Sequence, residues 1–533
     1  MNRRQFVASL GAAGLAAGCR FKGDAKQIPP VGSLGANDFA HGHRLRSGGL
    51  GEPTRERHVE VAIVGGGIAG LGCAWQLERK GMRGFELFEL EREIGGNSRS
   101  GKSAVGGHPL GAHYLPIPSS DLLHVRELLA ELGVLKGDPT AERPEYDEAY
   151  LCAAPQERLL AGGVWHEGLL PDSWIPPAER VQVERFHARM EELKLARGSD
   201  GRMAFAFPMR ESSNDPVWTD LDKISMRAWM QREGFVGQEL AFHANYACRD
   251  DFGTTWDDVS AWAGIHYFAA RRGKAINAED DAYLVRPEGN AWLARGLAAR
   301  LGDRVRTGKM AFAMQTKNDK PSVDILDTAT GLTERIRAER VVWASPIYPL
   351  RHVWRDMPAD AVDAAKEFSH APWVVANLEL SRHPADRPGA PLSWDNVLRE
   401  SRALGYVVAN HQVPRVLEGP LHLTWYMACV QDDPVTERMR LQAATREEIA
   451  ELVLSDLEQA HPDIRSCCTR LDVWRWGHAM VRPTVGFLWH SRREWFERRT
   501  GRILFAHSDL SGMSLFEEAL SHGVRAADSI LAG

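Results

Sequence analysis

The sequence predicts an α/β fold in which a three-layer domain is interleaved with a mixed α+β domain and a helical insertion. Three observations support this prediction. Val59 to Val64 is an apolar, β-branched run typical of a strand buried on both faces, and a glycine turn and a helical stretch follow it. A further buried strand at 335–347 and a strand–turn–helix at 501–531 lie far along the chain. At 533 residues the chain is long enough for two or three such domains.

The glycine turn predicts a dinucleotide site. Gly65, Gly67 and Gly70 have the G-x-G-x-x-G spacing. The first glycine allows a tight turn, the second lets the backbone approach a pyrophosphate, and the third lets the helix pack close to the strand. The helix beginning near Ile68 then directs its N–H groups and the positive end of its dipole at that phosphate.

An acidic residue at the right distance supports this interpretation. Glu89 follows Gly70 by nineteen residues and ends the second strand, where a carboxylate accepts hydrogen bonds from ribose hydroxyls. An isolated G-x-G-x-x-G is often an ordinary tight turn. Here the strand, the helix and the acid agree, so the sequence favours dinucleotide binding.

GGGIAGL at 65–71, Glu89 and GGNSRS at 95–100 together resemble the FAD-binding start of the flavin-containing amine oxidoreductase superfamily, which includes monoamine and polyamine oxidases, phytoene desaturases and protoporphyrinogen oxidases. The resemblance implies a Rossmann-type domain that binds FAD rather than NAD. Asn97 is a departure, because those oxidases often carry Arg after the glycine pair. The implied contacts in this part are Gly65, Gly67, Ile68, Ala69, Gly70, Glu89, Leu90, Gly95, Gly96, Asn97 and Ser98.

The resemblance and the composition imply an order of segments along the chain. These are a signal at 1–19, a flexible linker at 20–58, FAD-binding parts at 59–115, 286–350 and 471–533, a helical or substrate insertion at 116–285, and a substrate-binding domain at 351–470.

Other implied cofactor contacts are spread over these parts. A loop with Gly111, Ala112, His113 and Tyr114 resembles the one beside the flavin ring. His113 is either a hydrogen-bond partner of substrate or flavin, or a structural loop histidine. In the second part, Ala311 is expected near the adenine and Ala344 at the end of a strand.

The last part resembles the closing motif of the superfamily. Asp509 stands where Glu is usual and is expected to bond the ribityl chain or a water. Gly512, Met513 and Ser514 are expected to open a helix whose dipole stabilises reduced flavin. The simpler alternative is a strand–helix turn capped by Asp509. Upstream, the strand at 474–486 is expected to carry Trp476 and His478 past the ring, as catalytic candidates beside His113.

The segment 248–272 mixes acids with aromatic residues and has two interpretations. Asp250, Asp251, Asp257 and Asp258 are candidates for attracting a cationic amine beside aromatic side chains. The sequence favours the other interpretation, in which Thr255 and Asp258 form a capping box before an apolar helix.

The chain begins with a stretch typical of export. Arg3 and Arg4 before a short apolar run resemble a twin-arginine signal, so we expect the twin-arginine translocase as a partner and a periplasmic or membrane-anchored location. AAGC at 16–19 resembles a lipoprotein box, and whether Cys19 is lipidated stays open. The other six cysteines match no zinc or disulfide spacing, so no structural metal is expected. The net charge of −6 suggests no nucleic-acid surface.

The expected chemistry is hydride transfer from a small-molecule substrate to flavin N5, with reoxidation by oxygen or another acceptor. The resemblance favours an amine or polyamine-like substrate. Two departures weaken that choice: Leu515 stands where a second substrate-holding aromatic is common, and Val375 or a neighbour where many relatives place Lys. The alternatives are a flavin-dependent desaturase or dehydrogenase of an apolar substrate, and a non-catalytic flavin-binding accessory protein. Substrate identity, electron acceptor and oligomeric state stay open.

Overall fold

The computed structural model describes residues 31–48, 50–280, 282–413, 419–498 and 501–533. The strands and helices up to residue 285 are β1 (Leu34–Ala36), α1 (Phe39–Ser47), β2 (Arg55–Val64), α2 (Ile68–Arg79), β3 (Phe85–Phe88), β4 (Ser100–Lys102), β5 (Gly107–Pro109), β6 (Tyr114–Pro116), α3 (Leu123–Glu131), β7 (Leu135–Lys136), β8 (Glu145–Tyr146), β9 (Glu157–Ala161), β10 (Val164–Glu167), α4 (Pro177–Leu195), α5 (Pro216–Thr219), α6 (Met226–Arg232), α7 (Gln238–Phe252), α8 (Ala261–Ala269) and β11 (Tyr283–Val285).

The remaining elements alternate strands with helices. They are α9 (Ala291–Ala298), β12 (Val305–Arg306), β13 (Lys309–Lys317), β14 (Lys320–Asp327), β15 (Thr333–Trp343), α10 (Leu350–Val353), α11 (Ala359–Ala365), β16 (His370–Leu380), β17 (Asp395–Leu398), β18 (Gly405–Val408), β19 (Leu421–Ala428), α12 (Pro434–Ala443), α13 (Arg446–Leu457), α14 (Ile464–Cys467), β20 (Cys468–Val481), α15 (Ser491–Glu497), β21 (Ile503–Phe505) and α16 (Phe516–Leu531).

Two large sheets organise these elements. A seven-stranded sheet has the order β12-β3-β2-β15-β14-β13, with β21 also paired to β15. Its strands β12, β3, β2, β15 and β21 run parallel and come from three separate parts of the chain. An eight-stranded sheet has the order β1-β20-β16-β19-β18-β17-β9-β10 and is mostly antiparallel. Two mixed sheets with helices confirm the α/β class that the strand pattern predicts.

Helix α2, from the first part of the chain, packs closely against α16, from the last part. A Cβ built on Gly523 in α16 would lie 2.2 Å from the carbonyl oxygen of Ala69 in α2, and one built on Gly72 would lie 2.7 Å from Leu520. Real Cβ contacts are not this short, so glycine is needed at position 523, where the neighbours are backbone atoms, whereas at Gly72 the Leu520 side chain would have to shift. The packing places the middle of α16 against the first turns of α2, which follow the glycine turn.

Residues 31–47 differ from the flexible linker expected over 20–58. Strand β1 pairs in parallel with β20, and Ser33 donates from both its backbone N–H and its hydroxyl to Asp472. Helix α1 follows, with Asp38 as its N-cap. The linker prediction is therefore wrong for this stretch, because a glycine-rich polar sequence gains backbone partners on the edge of a distant strand. Residues 20–30, the signal at 1–19 and Cys19 lie outside the described residues.

Length and apolar composition decide whether a helix can span a membrane. Among the residues that the structure describes, no helix combines the length and the apolar composition that a membrane span needs. The six cysteines of the described part are all buried.

Candidate active site

A cavity of about 1210 Å³ lies between the two sheets and reaches both ends of the described chain. Gly65 of the glycine turn and Asp509 of the last part line the same space. Ala311 and Ala344 from the second part line it as well, as does Val375 of the eight-stranded sheet. The structure therefore brings the sequence-predicted regions around one cavity.

The glycine turn opens onto this cavity. Gly65 has a φ of +113°, and a Cβ on it would lie 2.7 Å from the Ala344 carbonyl oxygen, so a side chain is excluded there. A Cβ on Gly67 would meet only the Gly96 Cα, at 4.0 Å. Helix α2 starts at Ile68 with no side-chain cap, so the N–H groups of its first turn are left for another acceptor.

Glu89 comes directly after β3 and lines the cavity with Leu90. Its carboxylate accepts from the Gly66 N–H at 2.5 Å and from the Glu91 N–H at 2.8 Å. Burial raises the pKa of Glu89, while these two backbone bonds oppose the shift. The two backbone bonds thus fix the orientation of the carboxylate, and Lys309, Met310 and Ala311 line the same cavity.

The second glycine pair turns the chain tightly beside the first. Gly95 and Gly96 have φ of +113° and +56° and lead into a short 3₁₀ helix, Gly96–Ser98. Asn97, which stands where relatives often carry Arg, donates its amide to the Ala479 carbonyl at 2.5 Å. The Asn97 side chain therefore links the first part of the chain to β20.

The loop from Gly111 to Tyr114 lies next to β20 and lines the cavity. The Ala112 N–H bonds the Asn97 carbonyl at 2.9 Å, and a Cβ on Gly111 would lie 2.5 Å from that oxygen. His113 stacks on Tyr426 with ring centroids 4.5 Å apart. Burial lowers the pKa of His113 to about 4, so the ring is neutral at pH 7. A neutral, stacked imidazole suits hydrogen bonding better than proton uptake.

Trp476 and His478 both line the cavity from β20. The Trp476 indole donates to the Leu110 carbonyl at 2.5 Å and so anchors the loop. His478 stacks on Tyr348 at 3.9 Å and lies 6.0 Å from His370. Burial, with the charges of His370 and Arg438 next, lowers the pKa of His478 to about 2. His478 thus belongs to the Asp509 side of the cavity, and its catalytic role stays a prediction.

Asp509 is fully buried, and its carboxylate contacts three neighbouring polar groups. It accepts from the Ile347 N–H at 2.8 Å and lies 3.1 Å from His370 Nε2 and 3.2 Å from His507 Nδ1. Burial alone would raise the pKa of Asp509, but His370 and His507 hold it well below its usual range. Asp509 lies in the 3₁₀ helix Ser508–Ser511 rather than at an α-helix cap, so the simpler alternative from the sequence does not describe it.

The predicted start of the last helix is wrong. Gly512 has a φ of +70°, which is not helical, and Met513 is fully buried in the core. Among the described residues that line the cavity, neither of them appears. Ser514 does line it, and its hydroxyl accepts from the Val481 N–H at 2.9 Å. Helix α16 begins at Phe516, and the three residues from Ser514 to Phe516 all line the cavity.

Comparison with known proteins agrees with this geometry. A family model described as flavin containing amine oxidoreductase matches residues 68–531. The chain belongs to the flavin-containing amine oxidoreductase family. Its cofactor is therefore FAD, and the protein is an FAD-dependent oxidoreductase of the amine oxidase type. The enzyme, rather than a non-catalytic accessory protein, is the interpretation that the family supports.

Individual relatives are distant. The oxidoreductase PigB of Serratia sp. (strain ATCC 39006) is 24% identical over 300 residues, which is 52% of this chain and 41% of PigB. This chain thus spans under half the length of that relative. A putrescine oxidase double mutant aligns with a TM-score of 0.67 at 16% identity, covering 90% of this chain and 100% of that one. Cyclohexylamine oxidase from Brevibacterium oxydans IH-35A aligns at 0.63 and 15% identity, covering 89% and 99%. At these identities the structures show the fold.

The cavity residues fit FAD. The uncapped α2 N-terminus and the side-chain-free approach of Gly67 to Gly96 leave a cradle that suits a diphosphate. Glu89 adjoins this cradle at Gly66, and the loop at Gly111 adjoins it at Asn97. Individual cofactor contacts stay predictions.

Acidic and aromatic residues line the enzyme's cavity beside the loop, and we call this group the wall. Tyr114, Asp250 and Tyr426 line the cavity itself, whereas Asp395 and Glu157 do not line it but lie close enough for the charges of Asp250 and Glu157 to act on Asp395. The Tyr114 hydroxyl donates to Asp250 at 3.3 Å. Burial, and then the charge of Asp251, raises the pKa of Asp250 to about 7. Burial and the charges of Asp250 and Glu157 raise the pKa of Asp395 well above its usual range.

The segment 248–272 divides between cavity and surface. Asp250 and Asp251 line the cavity. Asp257 pairs with Arg227 at 2.9 Å, and Asp258 pairs with Arg482 at 2.8 Å, away from it. The capping-box interpretation is wrong, because α8 begins at Ala261 after Ser260, with no side-chain cap.

Sequence reasoning missed Glu157, Asp395, Tyr426 and Glu517. The first three lie on different strands of the eight-stranded sheet, and Glu517 lies on the first turn of α16. A local signal existed only for Glu517, which follows directly the residues expected at the helix start. The other three meet through strand pairing, such as that of β17 with β9, which places Asp395 opposite Glu157.

Proposed function

We propose that the enzyme oxidises an amine or polyamine-like substrate that enters the cavity as a cation. The observation that carries this proposal is Asp250, a half-buried carboxyl group in the cavity wall that accepts a hydrogen bond from Tyr114 and forms no ion pair with any residue that the structure describes. Bound FAD would supply the hydride acceptor at N5, with oxygen or another acceptor restoring the oxidised cofactor. The chain's own part is to bind, orient and desolvate the substrate.

The wall has more carboxyl groups than cations to balance them. Arg271 lies among them, and its Nη2 donates to both carboxylate oxygens of Asp251, at 2.7 and 2.9 Å. Asp250 has no such partner among the described residues, and its charge, with that of Glu157, raises the pKa of the neighbouring Asp395. Buried carboxylates are costly unless they are paired or protonated. A substrate ammonium group supplies the missing positive charge.

Aromatic rings complete the wall. His113 stacks on Tyr426, and Trp394 lies edge-on to Tyr114 with centroids 6.0 Å apart. Aromatic faces attract cations, and more strongly where water is excluded. An ammonium group held near Asp250 is therefore also attracted by the rings. Two structural neighbours are named for amines, putrescine oxidase and cyclohexylamine oxidase, which agrees with this proposal.

A second candidate is a desaturase or dehydrogenase of an apolar substrate. Val375 and Leu515 favour it, because both are apolar and line the same cavity. Anaerobic reduction distinguishes the two. The purified enzyme is mixed without oxygen with a panel of mono-, di- and polyamines, and separately with apolar polyenes and ring precursors, while the flavin absorbance is followed.

The amine proposal expects bleaching with an amine, and bleaching at least tenfold slower in Asp250→Asn at equal flavin content. Asp257→Asn is the matched control, because Asp257 is a surface acid of the same segment. Bleaching only by apolar compounds supports the second candidate. Equal rates in Asp250→Asn and the wild type contradict the role of Asp250.

We also propose that the protein is exported by the twin-arginine route and is periplasmic or held at the membrane through Cys19. The support is the sequence at 1–19, which lies outside the described residues. Fractionation of cells that express the wild type and the Arg3→Lys, Arg4→Lys double variant tests the route. Retention of the variant in the cytoplasm is expected. Loss of membrane association in Cys19→Ser would indicate lipidation.

A further inference from the structure

The segment 31–47, called the strap here, covers one end of the cavity. It precedes the family match, which begins at residue 68. The strap is joined to the eight-stranded sheet through β1, and two hydrogen bonds join it to the chain that follows β3. Arg99 donates to Asn37 at 2.7 Å, and the Asp38 N–H bonds Glu91 at 2.8 Å. Helix α1 then lines the cavity as far as Arg46.

Three arginines surround the cavity at this end. Arg46 comes from the strap, Arg351 from α10 and Arg438 from α12, and all three line the cavity. Arg438 donates one N–H to the His370 carbonyl at 2.9 Å, and Arg351 donates to His352 at 3.2 Å. Within the described part of the chain, none of the three has a carboxylate within ion-pair distance, and Arg46 has no hydrogen bond.

The neighbouring acids have other partners. Glu91 pairs with Arg99 at 3.0 Å, and Asp509 is held by His370 and His507. Asp433, whose charge acts on Arg438, caps α12 by accepting from the N–H groups of Val435 and Thr436. The stacked pair of Tyr348 and His478 lies near Arg438 and Arg46, because the charges of both arginines lower the pKa of His478 after burial and His370. This end of the cavity therefore carries uncompensated positive charge, opposite in sign to the Asp250 end.

We propose that Arg46, Arg351 and Arg438 form an anion site that takes a phosphate group, with Arg46 delivered by the strap. Guanidinium groups bind phosphate with short, charge-assisted hydrogen bonds, and three of them without acids match its charge. The phosphate has two sources: the diphosphate of the cofactor, which the nearby α2 N-terminus also attracts, or a phosphate on a separate ligand that enters at this mouth.

The experiment uses the holoenzyme and the variants Arg46→Gln and Arg46→Lys. Arg44→Gln is the matched control, because Arg44 lies on the same helix and is exposed like Arg46 but does not line the cavity. The first measurement is the rate of FAD release on dilution, followed by flavin fluorescence. The second is a titration with inorganic phosphate at constant ionic strength, followed by flavin absorbance. The thermal midpoint of each holoenzyme checks the fold.

If the site holds the cofactor, FAD release is at least tenfold faster in Arg46→Gln, less affected in Arg46→Lys and unchanged in Arg44→Gln. If it holds a separate ligand, FAD release is unchanged, while the wild type shows a saturable response to phosphate that Arg46→Gln loses. Unchanged FAD release together with an unchanged or absent phosphate response overturns the proposal. These outcomes do not depend on whether the substrate is an amine.

Discussion

The hydroxyl of Tyr114 donates to the carboxylate of Asp250 at 3.3 Å, although the two residues lie 136 positions apart. Tyr114 belongs to the loop that the sequence places beside the flavin, and Asp250 lies near the end of α7 in the helical insertion. The contact therefore joins the cofactor side of the cavity to its acidic wall. Substitution of Asp250 is therefore expected to weaken substrate binding and to leave cofactor binding unchanged.

Asp250→Asn is expected to lower kcat/KM for an amine substrate by about tenfold to a hundredfold, since a lost charge-assisted hydrogen bond costs about 1.5–3 kcal/mol. The FAD content is expected to stay at the wild-type value, because Asp250 lies in the helical insertion, outside the segments expected to bind FAD. Steady-state kinetics and the ratio of flavin to protein absorbance measure both. An equal loss in Asp257→Asn would mean that the effect is not specific to the cavity.

The pH dependence of the reaction follows from the same group. Because the pKa of Asp250 is about 7, the carboxylate that binds a cation forms only as the pH rises through that value. With an amine that stays protonated, kcat/KM is expected to rise about tenfold per pH unit below 7 and to level off above it. Asp251, Arg271, Arg249 and Tyr114 are the charged or titratable neighbours that set this value.

Glu517 lines the same cavity, and burial raises its pKa to about 7 as well. Asp250→Asn and Glu517→Gln therefore have to be compared, and the rise of kcat/KM with pH should disappear in Asp250→Asn but persist in Glu517→Gln.

The free energy of unfolding is expected to change with pH in the opposite direction. The folded protein keeps on Asp250 a proton that the unfolded chain releases near 3.8, so raising the pH from there to 7 lowers the free energy of unfolding.

Asp509→Asn is expected to lower FAD occupancy and to destabilise the protein by about 3 kcal/mol, since it leaves His370 and His507 without their shared buried carboxylate. The pKa of Asp509 is depressed, so its contribution is present above the unfolded value of 3.8 and is lost as the pH falls below that value. Urea unfolding at pH 7 and pH 3.5 measures this, and the gap between variant and wild type should narrow at the lower pH. Asp319→Asn, an exposed acid paired with Arg502, serves as the control.

The nucleotide half of the fold was largely predictable because its signals are local. Gly65, Gly67 and Gly70 follow a strand and precede a helix within one short stretch, and Glu89 lies at a set distance from them. Each of these residues has a backbone reason for its identity, such as the φ of +113° at Gly65. Such reasons are readable from spacing alone.

The remainder depended on contacts that no local pattern contains. The strap looked like a linker because its partner is β20, more than 430 residues later. Sequence reasoning identified Asp250 but not Asp395 and Glu157, because these two become neighbours only through the pairing of β17 with β9. The prediction that Gly512 opens the last helix is wrong, because its positive φ ends a 3₁₀ turn. Tertiary pairing decided the first two cases, and local backbone conformation decided the third.

The packing of α16 on α2 provides a direct test of how the two ends of the chain hold the cavity together. Gly523→Ala places a Cβ 2.2 Å from the Ala69 carbonyl oxygen and 2.9 Å from the Cys73 nitrogen, both backbone atoms that cannot rotate away. The helices must separate to relieve this overlap, so we expect a loss of about 1–3 kcal/mol in the free energy of unfolding. Because α2 starts at the cofactor cradle, FAD should also be released faster. Urea unfolding and flavin fluorescence measure the two effects.

Gly42→Ala in α1 is the matched control, because a Cβ there meets nothing within 4 Å. Alanine has the higher helix propensity, by about 0.8–1 kcal/mol in a helix interior, so this variant should be neutral or slightly more stable. The comparison separates the loss of a close helix contact from the general effect of replacing a helical glycine. If Gly523→Ala were as stable as Gly42→Ala and retained FAD equally well, the close approach of α2 and α16 would not be what holds the two ends of the chain around the cofactor.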